Sequence, residues 1–242
     1  MNYQLFPVGE HAILIELGEE LNMDTHQKVQ YITSYLDDHP FEWMVEYIPA
    51  FTTITIFFDP IKIARLNNKE ISPYDFVYKQ VEEILSSIKT GKKLESRRIE
   101  IPVCYGGKLG PDLETVARIN KLSPEEVIQI HTSGEYLVFM IGFAPGFPYM
   151  GGMSEKIATP RRESPRLASP ERSVGIAGNQ TGVYPIETPG GWQLIGRTPL
   201  KLFLPEENPP TLLRAGDQIK FRSISYKEYI EWGAIETNDH NH

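Results

Sequence analysis

The chain has 242 residues, a formal net charge of -8, 40% hydrophobic residues and 23% charged residues. Those values describe a soluble globular protein of one large or two smaller domains, and the acidic balance excludes general nucleic-acid binding. Cys104 is the only cysteine, which excludes an intrachain disulfide and a cysteine-based zinc site and suits the cytoplasm; no signal-peptide pattern opens the chain, and no apolar run approaches the roughly 20 residues of a membrane span.

The first third reads as a small α/β unit. Strands are predicted over 3–8 and 13–17, where Ile13, Ile15 and Leu17 alternate with Leu14 and Glu16. Asp24 or Thr25 caps a helix with Val29, Ile32 and Leu36 on its buried side. A third strand follows over 43–48, and the clearest carries Ile54, Ile56 and Phe58 before Asp59-Pro60 stops it. Ser72 caps a second helix, with Pro73 at its first position and a stripe of Val77, Val81, Ile84 and Ile88. The order ββαββα predicts a four-stranded sheet with two helices on one face.

A polar linker over 89–98 separates this unit, residues 1–92, from a second domain, residues 93–242. The second domain opens with a strand over 99–105 and a turn at Gly106-Gly107. One helix starts at Pro111 and Asp112, and another at the capping box Ser123-Pro124-Glu125-Glu126, ending near His131. A strand over 136–141 leads into a Gly- and Pro-rich stretch, 142–199. Further strands are predicted over 200–204 and 218–222, then a short helix over 226–232 and a polar, frayed tail. Gly and Pro exclude a long helix in the central stretch, and its many aromatic and branched residues exclude disorder. Short strands joined by ordered loops predict a closed or nearly closed β-barrel.

Common nucleotide and nucleophile motifs are missing, and no two histidines have metal-ligand spacing, so no metal is expected in this chain. Four features carry chemistry. In the loop over 142–152, Phe143, Pro145, Phe147 and Tyr149 read either as a ligand wall or interface, or as a plug for the barrel end. The basic segment with Arg161, Arg162, Arg166 and Arg172 reads as an anion or acidic-partner site, or as a solvated loop. Gln180, Tyr184, Gln193 and Arg197, with Asn179, suit an amide- and carboxylate-bearing ligand, or else turn chemistry and a surface arginine. His131 near a helix end reads as a helix-dipole partner when protonated, or as a site residue.

Several motifs point one way. They are Gly142-Phe-Ala-Pro-Gly-Phe-Pro-Tyr-Met-Gly-Gly152, Ala158-Thr-Pro-Arg-Arg162, Ser173-Val-Gly-Ile-Ala-Gly178, Gln180-Thr-Gly-Val-Tyr-Pro185 and Pro189-Gly-Gly-Trp-Gln-Leu-Ile-Gly-Arg-Thr-Pro199. Together they resemble the B subunit of bacterial 5-oxoprolinase. That family is also called allophanate hydrolase subunit 1 and includes the inhibitor of a sporulation histidine kinase. One departure is visible: the family usually has a Val-Pro-Ala-Gly-like approach to Ser173, where this chain has Ala168-Ser-Pro-Glu-Arg172.

The resemblance implies an α+β chain, with an N-terminal ferredoxin-like or related α/β sandwich and a C-terminal cyclophilin-like β-barrel. It implies a partner with a related barrel, the C subunit of the enzyme, and a separate A subunit. The assembly, with ATP as co-substrate, opens 5-oxo-L-proline to L-glutamate, and this chain alone is inactive. The alternative within the family is a regulator that binds a sporulation histidine kinase and blocks its autophosphorylation. On the enzyme reading, Gln180, Tyr184, Gln193 and Arg197, with His131, are expected to line one pocket at the barrel mouth, Arg197 forking onto the carboxylate. Phe143, Phe147 and Tyr149 are expected to anchor the C subunit.

Overall fold

The computed structural model describes residues 2–19, 23–66, 71–88 and 96–239, without the side chains of 23 and 233–239. The chain divides into two units, Met1–Glu95 and Ser96–His242. The boundary expected between 92 and 93 lies outside the described residues.

Alternating apolar residues build the first unit. Its elements are β1 (Gln4–Val8), β2 (Ala12–Glu16), α1 (Met23–Asp38), β3 (Met44–Pro49), β4 (Thr53–Phe58), α2 (Pro60–Leu66) and α3 (Pro73–Ser87). The strands pair in the order β1-β2-β4-β3, each neighbour antiparallel. Ile13, Ile15, Ile54, Ile56 and Phe58 leave the sheet on one side and share a core with Val29, Ile32 and Leu36 of α1 and Val77, Val81 and Ile84 of α3. Helix α3 starts as expected: the Asp75 amide donates to Ser72 Oγ at 3.1 Å, with Pro73 in the first turn. Helix α2 departs from the expectation. Asp59-Pro60 reads as a stop, yet Asp59 Oδ1 accepts from the Ile61 and Lys62 amides at 2.9 and 3.2 Å and so caps a new helix. The described residues run ββαββαα, whereas a ferredoxin-like domain runs βαββαβ, so the pairing supports a two-layer α/β description and no finer one.

The second unit is a barrel. Its elements are β5 (Arg98–Tyr105), α4 (Leu113–Asn120), α5 (Pro124–Ser133), β6 (Tyr136–Ile141), β7 (Pro148–Gly151), β8 (Arg166–Ser169), β9 (Ser173–Ala177), β10 (Gln180–Val183), β11 (Thr188–Gly190), β12 (Gln193–Arg197), β13 (Gln218–Ser223) and α6 (Tyr226–Asp239). Seven strands close in the order β10-β7-β6-β13-β5-β12-β9, while β8 and β11 form a separate ribbon. Closure depends on β13, which returns between β5 and β6 and pairs parallel with β5 and antiparallel with β6. Ile101, Val103, Val138, Met150, Val174, Ile176, Val183, Ile195, Ile219 and Phe221 share one core with Leu113 and Val116 of α4 and Val127 of α5. Side chains fill so small a barrel, which makes it a packed core and not a channel.

Residues 200–204, expected as a strand, join no ladder: they make the isolated Phe203–Thr211 bridge, with the Leu212 amide donating to the Leu202 carbonyl and the Leu204 amide to the Pro210 carbonyl. Pro199, Pro205, Pro209 and Pro210 remove the amides a ladder needs, and the segment instead seats Leu202 in the core. Helix α6 runs to Asp239, past the expected end at 232.

The turn after β5 touches β12 closely. A β-carbon on Gly110 would stand 2.0 Å from the Ile195 carbonyl oxygen and 2.6 Å from the Gly106 nitrogen. Gly110→Ala is expected to lower the melting temperature of the chain, with a stability loss at least that of an overpacked core, ~1–3 kcal/mol, measured by scanning calorimetry. An unchanged transition would show that the 106–110 turn moves freely away from β12.

Candidate functional site

A third apolar cluster, separate from the barrel core, gathers Phe147, Ala177, Tyr184, Trp192 and Leu194. Its centre is Phe147, which meets Tyr149, Tyr184 and Trp192 edge-to-face at ring distances of 5.2, 5.6 and 5.5 Å. Such geometry sets the positive ring edge on the negative face of the next ring. The loop that inserts Phe147 is tight: the Gly142 amide donates to the Phe147 carbonyl at 3.1 Å, and the Phe147 amide to the Ala144 carbonyl at 3.0 Å. Two residues of this turn, Phe143 and Gly146, take positive φ of 67° and 80°. The turn buries Phe147 to 2% exposure and leaves Phe143 66% exposed.

Beside these rings lies a cavity of ≈ 320 Å³ walled by Phe143, Phe147, Tyr149, Tyr184 and Trp192, by Pro189, Gly190 and Gly191, and by Arg161. Gly190 is required there, since a β-carbon would fall 2.3 Å from Tyr184 Oη. Burial raises the Tyr184 pKa, partly offset by hydrogen bonding and by Arg161 and Arg166, so its hydroxyl stays protonated at neutral pH.

The basic segment is largely spent on one carboxylate. Asp112, 4% exposed, accepts from Arg166 Nη2 on both oxygens at 2.7 Å, from Arg162 Nη1 at 3.1 Å and from the Leu194 amide at 2.6 Å. Arg162 and Arg166, expected to dock an anion or a partner, are therefore engaged inside the chain. Arg172 donates to the Pro199 carbonyl at 3.1 Å and approaches Glu171 at 3.3 Å. Its φ of 66° lies in the region that favours glycine, the residue that the resemblance implies at this place. Arg161 alone of these reaches the cavity.

The residues expected to form one pocket are not brought together. Gln180 and Gln193 flank the end of β9, opposite Ala177 and Ile176, whereas Arg197 lies opposite Ser173 at its start. Three to four residues of strand separate those points by about 10–13 Å. Arg197 Nε donates to the Glu171 carbonyl at 2.8 Å, and Arg197 does not line the cavity. Gln193 Nε2 donates to the Pro160 carbonyl at 3.0 Å, and its buried Oε1 has no hydrogen-bond partner among the described residues. Of the expected set only Tyr184 lines the cavity, joined by Phe143, Phe147 and Tyr149 of the loop; Pro145 is exposed beside it. Phe147 is too buried to anchor a partner. Trp192 and the Gly190–Gly191 pair carry no signal in sequence beyond their place in a motif, and their wall role depends on the fold of the ribbon.

His131 sits in the barrel core at 0% exposure. Thr181 donates its hydroxyl proton to the Gly175 carbonyl at 3.0 Å, so it accepts from His131 Nε2–H at 2.9 Å. Nδ1 then accepts from the Tyr105 hydroxyl at 2.8 Å. The ring is neutral, and burial lowers its pKa to about 3. The expected helix-dipole role of a protonated His131 is thereby replaced by a core role. Among the described residues, no group of three or more His, Cys, Asp or Glu is placed to hold a metal, and no helix is long and apolar enough to cross a membrane.

The family model for the carboxyltransferase domain, subdomain C and D, matches residues 3–213. The chain is 56% identical over 230 residues to the 5-oxoprolinase B subunit of Bacillus subtilis (strain 168), covering 95% of this chain and 96% of that one. It is 44% identical over 216 residues to the 5-oxoprolinase B subunit of Escherichia coli O157:H7, covering 88% and 93%. Among solved structures, the conserved uncharacterized protein PH0987 from Pyrococcus horikoshii is 42% identical, with a TM-score of 0.55 over 93% of this chain and all of that one.

Two stability predictions follow from the buried polar groups. Asp112→Asn leaves two arginines without a charged acceptor and is expected to cost about 3–5 kcal/mol in urea unfolding. A loss under ~1 kcal/mol would show that the guanidiniums find water instead. For His131, the unfolded ring takes up a proton below about 6.5 that the folded ring refuses down to about 3. Its contribution is whole above pH 6.5 and is lost as pH falls toward 3, by up to ~1.4 kcal/mol per pH unit. His26, also lowered, to about 4, adds to the same slope. His131→Gln keeps the His26 part, so its stability is expected to fall less steeply over that window than that of the unaltered chain; equal slopes would mean that the buried ring protonates without cost.

Proposed function

The chain belongs to the carboxyltransferase domain family, subdomain C and D, and within it to the 5-oxoprolinase B subunits; from that membership we propose that it is the non-autonomous B component of an ATP-dependent 5-oxoprolinase. With the A and C subunits it opens 5-oxo-L-proline to L-glutamate, and ATP is the co-substrate of the assembly. The observation that carries this reading is convergence. Segments 142–152, 158–162 and 189–199, far apart in sequence and each part of the family signature, all contribute walls to the ≈ 320 Å³ cavity. That volume stands at the lower end of small-molecule sites, about 300–1,000 Å³, and suits a single-ring metabolite.

In this reading the cavity takes the lactam ring, and the outward residues Phe143 and Pro145 contact the C subunit. The closed seven-stranded barrel supports the cyclophilin-like description that the resemblance implies. The lone, buried Cys104 supports a cytoplasmic setting.

The test is reconstitution. Glutamate release and ADP formation are expected from this chain together with the A and C subunits, and from neither this chain alone nor those two without it. Full activity of the other two components in its absence would overturn the proposal.

A further inference from the structure

We propose that Arg161 is the carboxylate anchor of the aromatic cavity and therefore sets its preference for a small cyclic amide that bears an acid group. This rests on the reading of the cavity as the substrate site, and it assigns the anion-binding role to a residue other than the expected Arg197.

The argument is one of supply and geometry. Five arginines lie between 161 and 197. Arg162 and Arg166 are held by Asp112, and Arg172 by the Pro199 carbonyl and Glu171; Arg197 is braced through Nε by the Glu171 carbonyl and does not line the cavity. Arg161, an exposed residue, lines the cavity and acts electrostatically on Tyr184, and it makes no hydrogen bond or ion pair with another described residue. Its backbone is nonetheless fixed. The Arg162 amide donates to the Gly191 carbonyl at 2.7 Å, and Thr159 and Gly178 exchange amide bonds at 3.0 and 2.7 Å. The root of the side chain is thus set beside the cavity floor, where the Arg161 β-carbon is 3.8 Å from the position a Gly191 β-carbon would take. A guanidinium with a free fork, placed at the edge of an apolar aromatic wall, matches a ligand with a planar anionic group on a compact ring.

An anion in this enzyme has two sources, the carboxylate of the lactam and the phosphates of ATP. The small cavity favours the carboxylate. Phosphate would demand room for a nucleotide beside Trp192 and Tyr184.

The experiment uses the complex reconstituted with the A and C subunits. Arg161→Gln is expected to raise the KM for 5-oxo-L-proline at least about tenfold, to leave the KM for ATP within about twofold, and to be partly rescued by Arg161→Lys, which restores the charge without the fork. Inhibition by 2-pyrrolidinone, the same ring without the carboxylate, is expected to change little. A second variant tests the cavity itself. A side chain at Gly191 meets only ordinary contacts at 3.7–3.8 Å, so Gly191→Leu fills the space while the fold stands, as its melting temperature would confirm. An inactive Gly191→Leu with an unchanged KM in Arg161→Gln would overturn the role of Arg161 and leave the cavity reading intact. A raised KM for ATP alone would also overturn it, by assigning the guanidinium to phosphate. A fully active Gly191→Leu would remove the cavity reading and this inference with it.

Discussion

The buried carboxylate of Asp112 organises the functional side of the barrel. It accepts four hydrogen bonds, two from one arginine, one from a second, and one from the backbone of β12. A charge so deep in the chain persists only when paired and fully hydrogen-bonded, and removal of the arginines would leave Asp112 with its desolvation cost, whereas Arg162 and Arg166 keep part of their surface in water. The consequence is geometric. The N-terminus of α4, the 160–166 segment and the start of β12 are tied to one point. Arg166 also donates to the Trp192 carbonyl at 3.3 Å, so the same hub sets the aromatic wall.

The barrel divides its chemistry by side. Inside, polar groups are matched in a closed chain: Tyr105 donates to His131, His131 to Thr181, and Thr181 to the Gly175 carbonyl. A chain of this kind gives up no free donor or acceptor for a ligand, and its burial resists any charge on the ring. The third apolar cluster instead faces a cavity, and there the walls are rings, Pro189, two glycines and the exposed Arg161. Glycine is structural at this wall. At Gly182 a β-carbon would come within 3.0 Å of Trp192 and 3.1 Å of Phe147, so the absence of a side chain lets the rings close over the strand.

Much of this architecture was legible from local pattern. The β2 and β4 alternations, the Ser72 and Ser123 caps and the strand density of the central stretch depend on neighbours within a few residues, and each appears where the pattern places it. The site was legible only in part. Tyr184 and the 142–152 loop reach the cavity. Arg197 and His131 do not, because an arginine and a histidine look alike in sequence whether they meet a ligand, a carbonyl or a hydroxyl. Phe147 misled in the same way: the positive φ at Phe143 and Gly146 decides which aromatic turns in and which turns out, and composition carries no sign of it.

By itself the sequence determined the two-part division into α/β unit and barrel, the family, and the inventory of side chains around the Gly- and Pro-rich stretch. Periodicity, caps and contiguous motifs are short-range, and short-range order is written along the chain. Which arginine stays free was decided only by tertiary structure. Asp112 lies 50 and 54 positions from the arginines it binds, and nothing local pairs them. Closure of the barrel brings them together around the buried carboxylate, and the arginine it leaves at the cavity is Arg161.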